Sequence, residues 1–201
     1  MGLPRVLFLD ACVLYPAQTR DIFVELALEG VVRLKWSVEV QEEWLRRLLE
    51  DRPHLSEEQR ARLRQTPGKM AEALAAQEPL VEGYEFLIGQ VSLPDPHDAH
   101  VVAAAFHGGA EAILTFNLAD FPEETLGRFD LSAWHPDEYL VELAEGLIRH
   151  NALPGPLLSA LKRIRERLKN PPLDPEGYIR ALERAGLERF SALLRSFRPH
   201  L

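Results

Sequence analysis

Four acidic positions have the residue types and placement to do chemistry together. Asp10 closes the apolar run Val6-Leu7-Phe8-Leu9, and either Glu43 or Glu42 supplies the second position after Ser37. Asp98 comes just after Asp95-Pro96, and Asp120 follows Ala112-Ile113-Leu114-Thr115-Phe116. Carboxylate oxygens are the ligands that hard divalent ions such as Mg²⁺ or Mn²⁺ take. Carboxylates brought to one point repel unless a cation neutralises them, so convergence would make a metal the natural occupant. The chemistry open to such a set is hydrolysis, because a cation held this way acidifies a bound water and draws charge from phosphate oxygens. Read singly, the same residues are ordinary helix caps and solvated acids. His97 and His100 flank Asp98 at a one-turn spacing, but no cysteine or third histidine stands at an interval that suits zinc, and both read as residues of a helix start.

An α/β fold would bring these acids together. Residues 5–9 are almost continuously apolar, as in a strand covered on both faces, and Asp10 then lies at the carboxyl end, where open α/β sheets bind ligands. Thr19 to Glu29 carries a helical stripe of Ile22, Phe23, Leu26 and Ala27 that ends at Gly30. Val31 to Trp36 reads as a strand, and Ser37 caps a helix bearing Glu42 and Glu43, which point about 100° apart and cannot both face one centre. Helical stretches follow over 56–65 and 69–77, with Pro67-Gly68 as the break between them. In 79–94, Phe86, Ile88 and Val91 alternate somewhat as in a strand. Asp95-Pro96 then opens the alanine-rich helix of residues 99–106 with Asp98 in its first turn, and Ala112 to Phe116 is a further buried strand. Phe129 to Trp134 reads as a last strand. A helix from Pro136 runs toward Ile148, and more helices follow over 157–168, 175–185 and 187–197. The expected architecture is a three-layer parallel sheet flanked by helices over residues 1–150, with a small helical appendage over 151–201 and a boundary near Asn151 to Pro156.

The composition narrows the function classes. No apolar stretch approaches the length of a membrane span, and no basic segment precedes a signal-like one. The single cysteine, Cys12, cannot form an internal disulfide, which suits a reducing, cytoplasmic setting. Net charge is −8, spread unevenly: residues 1–140 hold 12 Lys and Arg against 24 Asp and Glu, and residues 141–201 hold 11 against 7. Long-range attraction of a polyanion is therefore not expected, and nucleic-acid contact would need a local basic face or metal ions at the acidic centre. Lys162, Arg163, Arg165, Arg167 and Lys169 could form such a face or be the solvated side of a helix.

Taken in order and spacing, the segments 6–14, 36–43, 95–105 and 115–122 resemble the PIN domain family, a metal-dependent ribonuclease fold that includes the toxins of many bacterial toxin–antitoxin pairs. The resemblance covers residues 5–140. It implies catalytic acids at Asp10, Glu43, Asp98 and Asp120, with Glu43 preferred over Glu42 on the family's Ser-to-Glu spacing. It also implies Mg²⁺ or Mn²⁺, as one ion or two, held by Asp10, Asp98 and Asp120, with Thr115 and Asn117 in support. The family commonly has an aspartate two residues after the threonine, whereas this chain has the uncharged Asn117 there. The implied reaction is endonucleolytic hydrolysis of RNA, leaving 5′-phosphate and 3′-hydroxyl ends. The implied partners are RNA, a protein antitoxin and a second copy of the chain. Two other functions fit parts of the pattern. One is a PIN-like binding module without turnover. The other is an aspartate-nucleophile phosphatase, whose opening Asp10-Ala11-Cys12 resembles, with Cys12 where that class places a second acid.

Overall fold

The computed structural model describes residues 2–150, 155–169 and 171–201. Five parallel strands, β1 (Val6–Leu9), β2 (Arg33–Ser37), β3 (Leu80–Val81), β4 (Ala112–Leu114) and β5 (Ser132–Trp134), form one sheet in the order β3-β2-β1-β4-β5. Leu7, Phe8 and Leu9 are all fully buried although neighbouring strand residues face opposite ways, so both faces of β1 are covered. The strand order reverses between β1 and β4. That reversal opens a crevice beyond their carboxyl ends, where Asp10 and Thr115 stand.

The connecting helices are α1 (Ala11–Leu14), α2 (Ala17–Leu28), α3 (Val38–Asp51), α4 (Glu57–Arg64), α5 (Thr66–Ala73), α6 (Glu85–Ile88), α7 (Ala99–His107) and α8 (Glu123–Gly127). Ser37 caps α3 by accepting from Val40 N, and Asp95 caps the 3-10 turn Pro96–Asp98 that leads into α7. Two readings are corrected. The break after α4 falls at Gln65, and Pro67-Gly68 lies in the first turn of α5, where proline's missing N–H has no partner to lose. Residues 79–94 give only the two-residue β3 and the single turn α6, because Leu87 turns inward while Phe86 stays exposed.

Helices α9 (Pro136–Arg149), α10 (Gly155–Arg167), α11 (Pro175–Arg184) and α12 (Glu188–Leu194) complete the chain. The α/β sheet with added C-terminal helices agrees with the expected fold; the boundary expected near 151–156 falls largely on residues 151–154, outside the described ones. Leu157, Leu161, Tyr178 and Phe190 join the same hydrophobic cluster as the sheet. Asp137, buried on α9, accepts from Arg189 N at 2.9 Å and Phe190 N at 2.8 Å and so caps α12 from another helix.

Candidate active site

Asp10 is the N-cap of α1. Its Oδ1 accepts from Ala11 N at 2.7 Å, and its backbone N donates to Leu114 O at 3.1 Å, which ties the end of β1 to the end of β4. Its Oδ2 accepts from Thr115 Oγ1 at 2.8 Å and from Cys12 Sγ at 3.0 Å. Asn117 N donates to Thr115 Oγ1 at 3.0 Å, and Phe116 N to Cys12 Sγ at 3.2 Å. The loops after β1 and β4 are thus stitched together through one carboxylate, whose direction is set by three donors. Burial, followed by the charge of Asp10, pushes the Cys12 thiol up, so it remains a neutral donor.

Beyond Asp10 the crevice widens into a cavity of about 350 Å³ whose wall includes Asp10, Glu43, Asp98, Asn117 and Asp120. These residues come from the ends of β1 and β4, the middle of α3 and the start of α7. Glu42 turns away and lines a separate hollow with Leu45, Arg46 and Leu49. Thr115 lies one layer behind, fully buried against Asp10. His97 is exposed and outside the cavity, and His100 Nδ1 faces Glu39 Oε2 at 3.4 Å.

The acids sense one another. Burial, and then the charges of Asp10, Asp95, Asp120 and Glu43, push the Asp98 carboxyl up to about 6. The donor set is all oxygen and rich in negative charge, which suits a hard divalent cation. Among the described residues, however, no three His, Cys, Asp or Glu side chains are close enough to hold an ion as they stand. The carboxylates share a cavity without forming a preassembled cage.

The wall also includes Tyr15, Arg47 and Asp51, which the sequence reading did not single out. The signal for two of them was present: Glu43, Arg47 and Asp51 recur every four residues along α3 and so share one face with Glu43. Tyr15 OH donates to Asp51 Oδ2 at 2.7 Å, a bond that raises the phenol's pKa. Arg47 is the cavity's cation, and no lysine lines it among the described residues, which removes one component expected of an aspartate-nucleophile phosphatase.

A family model described as "PIN domain" matches residues 6–119, more than half of the chain. The chain belongs to the PIN domain family. The part beyond this domain has a match of its own: a family described as "VapC50 C-terminal domain" matches residues 136–196, which begin with α9. A Mycobacterium tuberculosis (strain ATCC 25618 / H37Rv) protein described as "Putative ribonuclease VapC50" is 44% identical over 45 residues, 22% of this chain and 27% of that relative. The matched segment therefore spans about a quarter of that protein's length. No solved structure matches the chain. The matched residues include β1 to β4 and the crevice between β1 and β4, with Asp10, Glu43 and Asp98.

Proposed function

We propose that this protein is a Mg²⁺- or Mn²⁺-dependent endoribonuclease of the PIN domain family, acting in the cytoplasm as the toxin of a toxin–antitoxin pair. The observation that carries the reading is the cavity itself: carboxylates from four separate segments line it, and burial, followed by the charges of the neighbouring acids, raises Asp98 to about 6. Asp10, Asp98 and Asp120 would hold the cation, with Asn117 offering a neutral carbonyl, so one ion is favoured over two. When bound, the ion supplies an acidified water and offsets charge on the phosphate. The remaining steps belong to the chain. Thr115 and Cys12 keep Asp10 aimed into the cavity, Arg47 draws the scissile phosphate in, and Glu43 accepts a hydrogen bond from the attacking water. The water oxygen bonds to phosphorus and gives up a proton to Glu43 as the bond to the 3′ oxygen breaks, and the departing oxygen takes a proton from solvent water to leave 3′-hydroxyl and 5′-phosphate ends. A protein antitoxin would act by covering this cavity, and self-association is expected through another surface. The boundary between the PIN domain and the helical extension is proposed near residues 150 and 151, inside the second family match, which begins with α9.

A non-catalytic binding module on the same fold is the second reading. It is favoured by Asn117 and by the lack of a preassembled three-residue ligand set among the described residues. One experiment separates the two: cleavage of mixed single-stranded and structured RNAs with Mn²⁺, Mg²⁺ or EDTA, using the wild type, Asp10→Asn and Asp98→Asn. The expected result is metal-dependent cutting that falls at least a hundredfold, on the order of 3 kcal/mol, in each variant. A folded wild type that binds Mn²⁺ and cuts none of the RNAs favours the module, and cutting unchanged in both variants refutes the assigned site.

A further inference from the structure

A second cavity, of about 320 Å³, opens beside the first and is lined by Tyr15, Gln18 and Arg52 from the PIN domain and by Ala181 and Arg184 of α11. Tyr15 lines both cavities, and its bond to Asp51 fixes the ring in the shared wall. The two cavities differ in charge. The first is lined by Asp10, Glu43, Asp51, Asp98 and Asp120 with Arg47 as its cation. The second has two arginines and no carboxylate in its lining among the described residues.

Arg52 and Arg184 are exposed, and neither guanidinium closes on a carboxylate among the described residues. Other arginines of the tail behave differently: Arg163, Arg167 and Arg195 each meet a glutamate. The end of α11 is also held against the catalytic loop. Gly186, at φ +87°, lies so close to Phe116 that an added Cβ would be 3.0 Å from its ring, and Phe116 sits between Thr115 and Asn117. Arg184 is therefore presented at a defined place beside the acidic cavity.

We infer that Arg52 and Arg184 form a subsite for a backbone phosphate of single-stranded RNA, adjacent to the phosphate that is cut, with the C-terminal extension supplying half of it. This rests on the ribonuclease reading above. Guanidinium groups bind phosphate oxygens in a forked, bidentate manner, and an aromatic ring between two phosphate positions offers a face on which an unpaired base can stack. Such a subsite would also give an acidic protein the local basic patch that it needs to hold a polyanion.

The test measures binding of a fluorescein-labelled single-stranded RNA to the full chain by anisotropy, without divalent ions and over a series of salt concentrations. The proteins are the wild type, Arg52→Ala, Arg184→Ala and the control Lys162→Ala, an exposed residue of α10 that lines neither cavity. Each arginine variant is expected to weaken binding about three- to tenfold and to reduce the slope of log Kd against log salt by about 0.7, the value for one lost single-strand phosphate contact. Lys162→Ala should change neither. Unchanged slopes in both arginine variants, an equal effect of Lys162→Ala, or a wild type that does not bind RNA would each overturn the subsite. The two readings fail separately. RNA cleavage with unaltered salt slopes refutes the subsite alone, whereas arginine-dependent binding by a protein that cuts no RNA keeps a phosphate-binding site but refutes its place beside a cut phosphate, together with the ribonuclease.

Discussion

Asp98 couples the site to pH. Its carboxyl is raised from 3.8 to about 6 in the folded protein, so the fold favours the neutral form. Between those values the folded chain keeps a proton that the unfolded chain has released, and the stability of the metal-free protein falls as pH rises through the window. Asp98→Asn removes this effect. In EDTA the variant should melt above the wild type at pH 7, and the gap should close near pH 4. A gap that stays constant across this range would mean that the fold does not raise the Asp98 carboxyl. Cys12 and Thr115 work at the same scale: both donate to Asp10 Oδ2, and only Thr115 is implied by the family resemblance. The bond from Cys12 is not legible in the sequence, since a thiol two residues after an acid does not show which oxygen it meets.

Elements carry the site where their ends are anchored. Periodicity along α3 was enough to send Glu43 and Glu42 to different sides, and the structure places them in different cavities. It would also have indicated Arg47. A glycine just past a helix, as Gly186 is, reads in the sequence as the stop signal of that helix. It is that, with Leu187 N bonded to Leu182 O and Gly186 N to Glu183 O, but it also seats the helix on Phe116. Gly186→Ala should lower stability by about 1–2 kcal/mol from the left-handed backbone alone. Because Phe116 must also shift beside Asn117, RNA cleavage should drop even at temperatures where the variant is folded. Denaturant midpoints and cleavage rates measured on one preparation test both effects, and wild-type values for the two would show that the contact is unimportant.

Over the whole molecule, the C-terminal helices and the sheet share one core, and two arginines of the tail help to hold it in place. Glu25, buried on α2, is met by Arg163 at 3.4 Å and by Arg167, and Arg163 also reaches Glu29. Two members of the basic run that could have formed an RNA face are thus turned onto the PIN domain. A buried carboxylate stripped of its partners costs more than one that has been neutralised. The double variant Arg163→Ala/Arg167→Ala should therefore lose about 1–3 kcal/mol, and Glu25→Gln less. Both should still unfold in one transition, with far- and near-ultraviolet signals coincident, because α9 to α12 have no separate core. A second transition, or a greater loss in Glu25→Gln, would contradict this account. Among the described residues no helix is long and apolar enough to cross a membrane.

Much of this was legible in one dimension because its causes are local. An unbroken apolar run requires a strand buried on both faces, Ser37 and Asp95 start helices by capping them, and a carboxylate after β1 has to lie at the crevice end of a parallel sheet. Proximity in space is a different matter. The pairing of β1 with β4 across more than a hundred residues brings Thr115 to Asp10. The docking of α11 brings Arg184 near Arg52, and the packing of α10 on α2 consumes Arg163 and Arg167. Hydrogen bonds and charges act over a few ångströms whatever the separation along the chain, so only the tertiary structure could decide which of these side chains meet.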